Sequence, residues 1–165
     1  MKIPYISTEI SPERTQIDIK RMLQEHGIRD IQWTTYKGKT SLRFVWLVDV
    51  RGVQKEILFQ FVVPGITTLK RVWDQKAQRY VKTTVFLEAT SYRLLWHYLR
   101  NKLEAVRWGL ESMEKEFLSH AVVALPTGEQ ITVGERISQV FDAVTNPALE
   151  YTPPKIDARD NAIAL

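Results

Sequence analysis

A chain of 165 residues, 44% hydrophobic and 25% charged, has the balance of one ordinary folded domain and not the low-hydrophobicity, high-charge signature of disorder. Its zero cysteines exclude a disulfide framework, a thiolate nucleophile and cysteine-ligated zinc or iron–sulfur centres. The net charge of +4 points to an anionic partner; no apolar run approaches the ~18 residues that cross a bilayer and Met1-Lys2-Ile3-Pro4-Tyr5 lacks the apolar stretch of a signal peptide, so a cytoplasmic location is expected.

Ser11, Pro12 and Glu13 form a helix start: serine accepts from a free backbone N–H, proline suits the first helical position, and the carboxylate faces the positive helix end. Gly27 supplies the stop. Ile17, Ile19, Met22 and Leu23 give one apolar side, which predicts a helix over about residues 12–26. Three strands follow. Ile31 to Tyr36 ends in the Lys37-Gly38-Lys39 turn, Leu42 to Val50 places Leu42, Phe44, Trp46, Val48 and Val50 on one face, and Val53 to Val63 does the same with Ile57, Phe59, Phe61 and Val63. With Gln54, Glu56 and Gln60 opposite, this predicts an antiparallel sheet covered on one face, its second and third strands joined at Arg51-Gly52.

Pro64-Gly65 closes the sheet, and residues 66–90 have no clean periodicity; a connection of this length is functional or mobile, or else a short helix and a fourth strand at Arg79 to Leu87. A long helix is predicted from about Ser91 to Ser119, because Leu95, Leu99, Leu103, Val106, Leu110, Met113 and Phe117 recur at intervals of three and four. Its basic first half (Arg93, Arg100, Lys102, Arg107) and acidic last turns (Glu111, Glu114, Glu116) oppose the helix dipole, so they reflect surface or partner rather than helix stability. Seven stripe residues exceed what a three-stranded sheet easily covers, which predicts a homo-oligomer, with a symmetric dimer the commonest form.

Ala121 to Leu125 and Gln130 to Val133 flank Pro126-Thr127-Gly128-Glu129, a hairpin by its turn residues. Thr132 and Glu135 then stand at capping-box spacing before Ile137, Val140, Phe141 and Val144, predicting a short last helix. The expected architecture is α+β: a helix, a three-stranded antiparallel sheet, a long helix, a C-terminal hairpin and a short helix, in a single domain over 1–145. Residues 146–165, with Pro147, Pro153 and Pro154, read as a tail ordered only when docked.

The stretch Arg93-Leu94-Leu95-Trp96 through Asn101-Lys102-Leu103-Glu104-Ala105-Val106, with Gly109, Glu114-Lys115-Glu116-Phe117-Leu118 and Pro126-Thr127-Gly128, resembles a family of uncharacterised phage and prophage proteins. Their pattern runs K-x-K-L-E-A-V-x-x-G, then E-E-E-F-L, then a P-D-G-x-T-V-x-E hairpin and helix. The similarity covers about residues 92–137 and is weak over 8–63. Asn101 departs from a frequent lysine, and Thr127 replaces the turn aspartate. The resemblance implies a viral gene of the kind found among nucleic-acid metabolism genes, working in the host cytoplasm, and carries no established activity. The element order also resembles double-stranded-RNA-binding domains and, loosely, the core of phage single-strand annealing proteins; topology alone carries no function.

His26, His97 and His120 are far apart, and His97 with Asn101 and Glu104 offers too few strong ligands for a metal. His26 at a helix end reads as a C-terminal cap. Asp49 and Glu56 could face one another on adjacent strands, but neither has a lysine two residues beyond it as restriction-type nucleases require. Gly-rich phosphate loops, G-x-S-x-G and H-E-x-x-H are absent from the sequence. No catalytic residue, metal or cofactor is therefore assigned. Residues 66–107 carry 9 basic and 3 acidic groups, whereas 108–165 carry 4 and 9. Lys70, Arg71, Trp73, Lys76, Arg79, Tyr80 and Lys82 supply cations and stacking rings, and Arg93, Arg100 and Arg107 could continue the track, the combination that single-strand binders use. The expectation is a non-enzymatic binder of nucleic acid, single-stranded DNA foremost, in replication or recombination. The alternative is a regulator or assembly component that binds protein.

Overall fold

Ser11 opens the first helix of the computed structural model, which describes residues 4–50 and 52–144. Helix α1 (Pro12–Glu25) begins with the Ser11 hydroxyl accepting the Arg14 N–H at 3.2 Å and proline in the first turn. It ends where Gly27 takes φ 80°, so that Gly27 N–H reaches Gln24 O and Ile28 N–H reaches Leu23 O. That pair of bonds satisfies the last carbonyls and folds Ile28 back onto the core. The buried side is Thr15, Ile19 and Leu23; Ile17, expected inward, is exposed, because Thr15 takes the place in the stripe with its hydroxyl satisfied by Ser11 O at 3.1 Å. His26 caps from within, its Nδ1 donating to Met22 O at 2.9 Å.

Strands β1 (Ile31–Tyr36), β2 (Lys39–Val50) and β3 (Val53–Val62) form an antiparallel sheet in the order β1-β2-β3. Lys37 and Gly38, at φ 48° and 74°, make the first turn, and the Asp49 carboxylate holds the second by accepting the Gly52 N–H at 2.7 Å. Register puts Leu42 opposite Phe61 and Phe44 opposite Phe59 on the covered face. The other face carries Arg43 bonded to Gln60 at 2.8 Å, beside the Val45–Leu58 pair.

The segment expected to be irregular is a second antiparallel pair, β4 (Thr67–Asp74) with β5 (Arg79–Phe86), a two-stranded sheet of its own. The alternative reading, a short helix and then a strand at Arg79 to Leu87, holds for the strand; in place of the helix stands β4, because Thr67, Thr68, Val72 and Trp73 favour a strand and pair with Phe86, Val85, Val81 and Tyr80.

The long helix is two helices. α2 (Glu88–Arg107) stops at Gly109, whose φ of 68° turns the chain so that Gly109 N–H meets Val106 O and Leu110 N–H meets Ala105 O. The short α3 (Met113–Phe117) restarts from Ser112 and leads into a 3-10 turn (Leu118–His120). Leu95, Leu99 and Leu103 are buried, and Phe117 re-enters the same core, but Leu110 is 76% exposed at the break. The apolar spacing thus continues across a glycine that interrupts the backbone.

Ala121 bridges to Phe59, laying the hairpin of β6 (Val122–Ala124) and β7 (Gln130–Thr132) beside β3. The expected capping box is present at the start of α4 (Val133–Val144): Glu135 N–H donates to Thr132 Oγ1 at 3.2 Å and Thr132 N–H to Glu135 Oε2 at 2.7 Å. α4 begins against the 3-10 turn, so closely that a Cβ on Gly134 would stand 2.9 Å from Ser119 O.

The core lies between the covered sheet face, α1 and α2. Phe44, Phe59 and Phe61 form one buried cluster with Ile19 and Leu23 of α1, Leu95, Leu99 and Leu103 of α2, and Phe117 of α3. Phe117 stands edge-on to Trp46, Phe59 and Phe61 with centroids 5.5 to 5.9 Å away. The architecture is α+β, and no helix among the described residues is long and apolar enough to cross a membrane. The Pro-rich segment 146–165 lies outside the described residues.

Candidate nucleic-acid interface

Alternation along a strand and opposition across an antiparallel pair together decide which side chains share a face. In the β4–β5 arm, Arg71 lies opposite Lys82, Trp73 opposite Tyr80, Leu69 opposite Thr84 and Thr67 opposite Phe86. These eight residues form one face, and all eight are exposed. The other face holds Lys70, Val72, Arg79 and Thr83, also exposed, among half-buried Thr68, Val81 and Val85.

Toward the tip of the first face, the Trp73 and Tyr80 rings stand 5.0 Å apart at 69° and are 50% and 67% exposed. The Arg71 and Lys82 pair is the next one down on that face. Asp74, the one acid of β4 and β5, sits on the opposite face and is occupied in the loop, accepting the Lys76 and Ala77 N–H groups at 2.9 and 3.2 Å. Gln78 at φ 45° completes the turn. Two cations and two open rings therefore share a surface that lacks a carboxylate.

The ten residues expected from the sequence fall into separate groups. Arg71, Trp73, Tyr80 and Lys82 come together on the first face. Lys70 and Arg79 point to the second, and Lys76 belongs to the loop. The three arginines of α2 turn toward α1 instead. Arg93 is committed to an ion pair with Asp18 at 3.4 Å and to the Trp96 ring at 4.2 Å, with its side chain only 16% exposed. Arg100 pairs with Glu104 at 2.8 Å. Arg100 and Arg107 line a groove of about 420 Å³ between α1 and α2, which also contains Asp18, Glu25 and Glu104 and none of the arm's residues. The acids make that groove a poor continuation of a phosphate track.

Leu69, Thr84 and Phe86 belong to the first face but are not among the ten site residues expected from the sequence. No apolar–polar alternation marks that face in the sequence; what the chain offers locally is β-branched and aromatic residues on both sides of Asp74-Gln75-Lys76-Ala77. Asp49, weighed as a metal ligand, serves the β2–β3 turn and also accepts from Gln54 at 3.5 Å.

His120, in the 3-10 turn, packs between β3 and α2. Its ring stacks on Phe61 at 4.0 Å, its Nε2 shares a hydrogen bond with the Tyr98 hydroxyl at 3.0 Å, and Lys102 nearby is tied to Glu116 at 3.0 Å. Burial, and then the Lys102 cation, push the imidazole below its ordinary value near 6.5, against a backbone hydrogen bond to Gln60 that raises it. A histidine kept neutral in the fold takes up its proton first in the unfolded chain, so its contribution is present above the unfolded pKa and lost as pH falls through the folded one. The denaturant midpoint is expected to fall on acidification from about pH 7.5 to about 5.5, and to fall less in His120→Gln. An equal fall in both proteins would assign the acid sensitivity elsewhere, His97 being next, since burial, Arg93 and Arg100 lower it as well.

Comparisons with protein-family models, with curated proteins and with solved structures return no match to this chain.

Proposed function

We propose that this protein binds single-stranded DNA along the first face of the β4–β5 arm, without catalysing a reaction, in phage replication or recombination. The observation that carries this is the adjacency on one exposed face of the Arg71–Lys82 pair and the Trp73–Tyr80 pair. Phosphates supply long-range attraction to the cations, and unpaired bases supply ring faces for stacking, each stack contributing roughly 1–3 kcal/mol. A duplex presents base edges rather than base faces, so open rings favour the single strand. The resemblance of residues 92–137 to phage and prophage proteins supports the viral setting.

The test is anisotropy of a labelled oligothymidine titrated with the full chain over a range of salt. Binding is expected at low salt, weakening by a log-log slope of about −0.7 for each phosphate neutralised. Absence of binding at low salt would bring forward the second reading, a protein-binding component. That reading is favoured by α4, where Ile137 and Val140 are exposed on a helix whose described residues 135–140 are all exposed.

A further inference from the structure

We propose that the arm is completed by a second copy of this chain: β5 pairs antiparallel with the partner's β5 about a two-fold axis at Thr83, giving one four-stranded sheet β4-β5-β5-β4. The pairing is argued from backbone geometry and side-chain chemistry; its use as a wider platform for a nucleic acid rests on the function proposed above.

A two-stranded ribbon alone is marginal in water and needs a third strand or a packed face. Among the described residues no third strand joins β4 and β5, and the first face leaves Leu69, Trp73, Tyr80 and Phe86 exposed. Such an edge is a template for another strand unless it is guarded.

The phase of the hydrogen bonds fixes how a partner strand can add. Leu87 N–H donates to Ile66 O at 2.8 Å, the pair just outside Thr67 and Phe86 in the register. Bonded and non-bonded pairs alternate, so Val85, Thr83 and Val81 direct their backbone groups at β4, whereas Tyr80, Lys82, Thr84 and Phe86 direct theirs outward. Two-fold pairing must match outward groups with outward groups, which restricts the axis to a residue position. An axis at Lys82 sets that lysine against itself. An axis at Thr84 leaves Tyr80 opposite Glu88, in α2 and outside the strand. An axis at Thr83 sets Tyr80 against Phe86, Val81 against Val85 and Lys82 against Thr84. It uses the strand from Tyr80 to Phe86 and opposes no like charges, and aromatic and β-branched partners are the favourable cross-strand pairs.

The β4 edge is guarded. The axes that use nearly all of that strand lie at Lys70 and Arg71, and each sets a cation against its own copy. Like charges directly opposed destabilise a sheet, and lysine on an edge is a common protection against such pairing. With β5 paired, the first face gathers Arg71, Trp73, Tyr80 and Lys82 from both copies into one surface, so the site of one copy is half of the whole.

The absence of cysteine makes the test direct. In Thr83→Cys the introduced thiol is the sole one, and at the axis it meets its mate in a non-hydrogen-bonded pair with Cα atoms about 4.5 Å apart, within disulfide reach. Oxidation of the full chain without nucleic acid is expected to give a disulfide-linked dimer, whereas Lys70→Cys stays monomeric on denaturing gels. Thr84→Pro removes an outward N–H and no β4–β5 bond. It is expected to be monomeric by light scattering with its helical circular dichroism retained and to bind oligothymidine at least about tenfold more weakly, while Trp73→Ala remains a dimer. Monomeric wild-type protein, with Thr83→Cys linking no faster than Lys70→Cys, overturns the pairing even if DNA binds. A Thr83→Cys dimer that binds no DNA supports the pairing and overturns the nucleic-acid function.

Discussion

Replacing Phe117 by alanine is expected to lower the unfolding free energy by about 3–5 kcal/mol, whereas Leu110→Ala is expected to change it by less than about 0.5 kcal/mol. Both residues belong to the same apolar spacing in the sequence. Phe117 is fully buried and meets Trp46, Phe59 and Phe61 edge-on, so truncation removes transfer energy and leaves a cavity where three rings lose a partner. Leu110 stands 76% exposed beyond Gly109 and has little burial to lose. For a chain of this size 1 kcal/mol moves the melting temperature about 2–4 °C, so the Phe117 variant should melt on the order of 10 °C lower. Equal losses at the two sites would mean that α2 runs on through Gly109.

That contrast also shows what the sequence could and could not disclose. The first helix, the three-stranded sheet, the C-terminal hairpin and the capping box were legible because each carries local chemistry: Ser11-Pro12, the alternation of Leu42, Phe44 and Trp46, the Pro126-Thr127-Gly128 turn, and Thr132 with Glu135. The break at Gly109 was hidden because Met113 and Phe117 return to the same core after the turn, which preserves helical spacing while the backbone does not. The β4–β5 arm was hidden for the opposite reason. A ribbon exposed on one whole face has no apolar–polar alternation, since Leu69, Arg71 and Trp73 share that face, and cross-strand partners rather than burial define it. Of the candidate site, residue types were legible and their grouping was not. Arg93 lies in the basic stretch but is drawn to Asp18 and Trp96, a contact between helices 75 residues apart in sequence that no local pattern announces.

Charge and stacking on the arm should separate in experiment. Arg71→Ala with Lys82→Ala removes two cations from the first face and is expected to flatten the log-log salt slope for oligothymidine by about 1.4, at about 0.7 for each lost phosphate contact on a single strand. Lys70→Ala with Arg79→Ala removes the same charge from the second face, retaining the long-range attraction of the remaining cations but losing no contact, and should flatten it by less. Trp73→Ala leaves every cation in place, so the slope should hold while affinity falls by roughly 1–3 kcal/mol at all salts, about five- to 150-fold. Arg93→Ala supplies the counterpart: its guanidinium is held by Asp18 and Trp96, so it should alter stability and leave the slope as it was. Equal flattening by the two double variants would show that net charge alone attracts the DNA and that neither face is the site. An Arg93 variant that flattened the slope as much as the first pair would move the interface from the arm to α2.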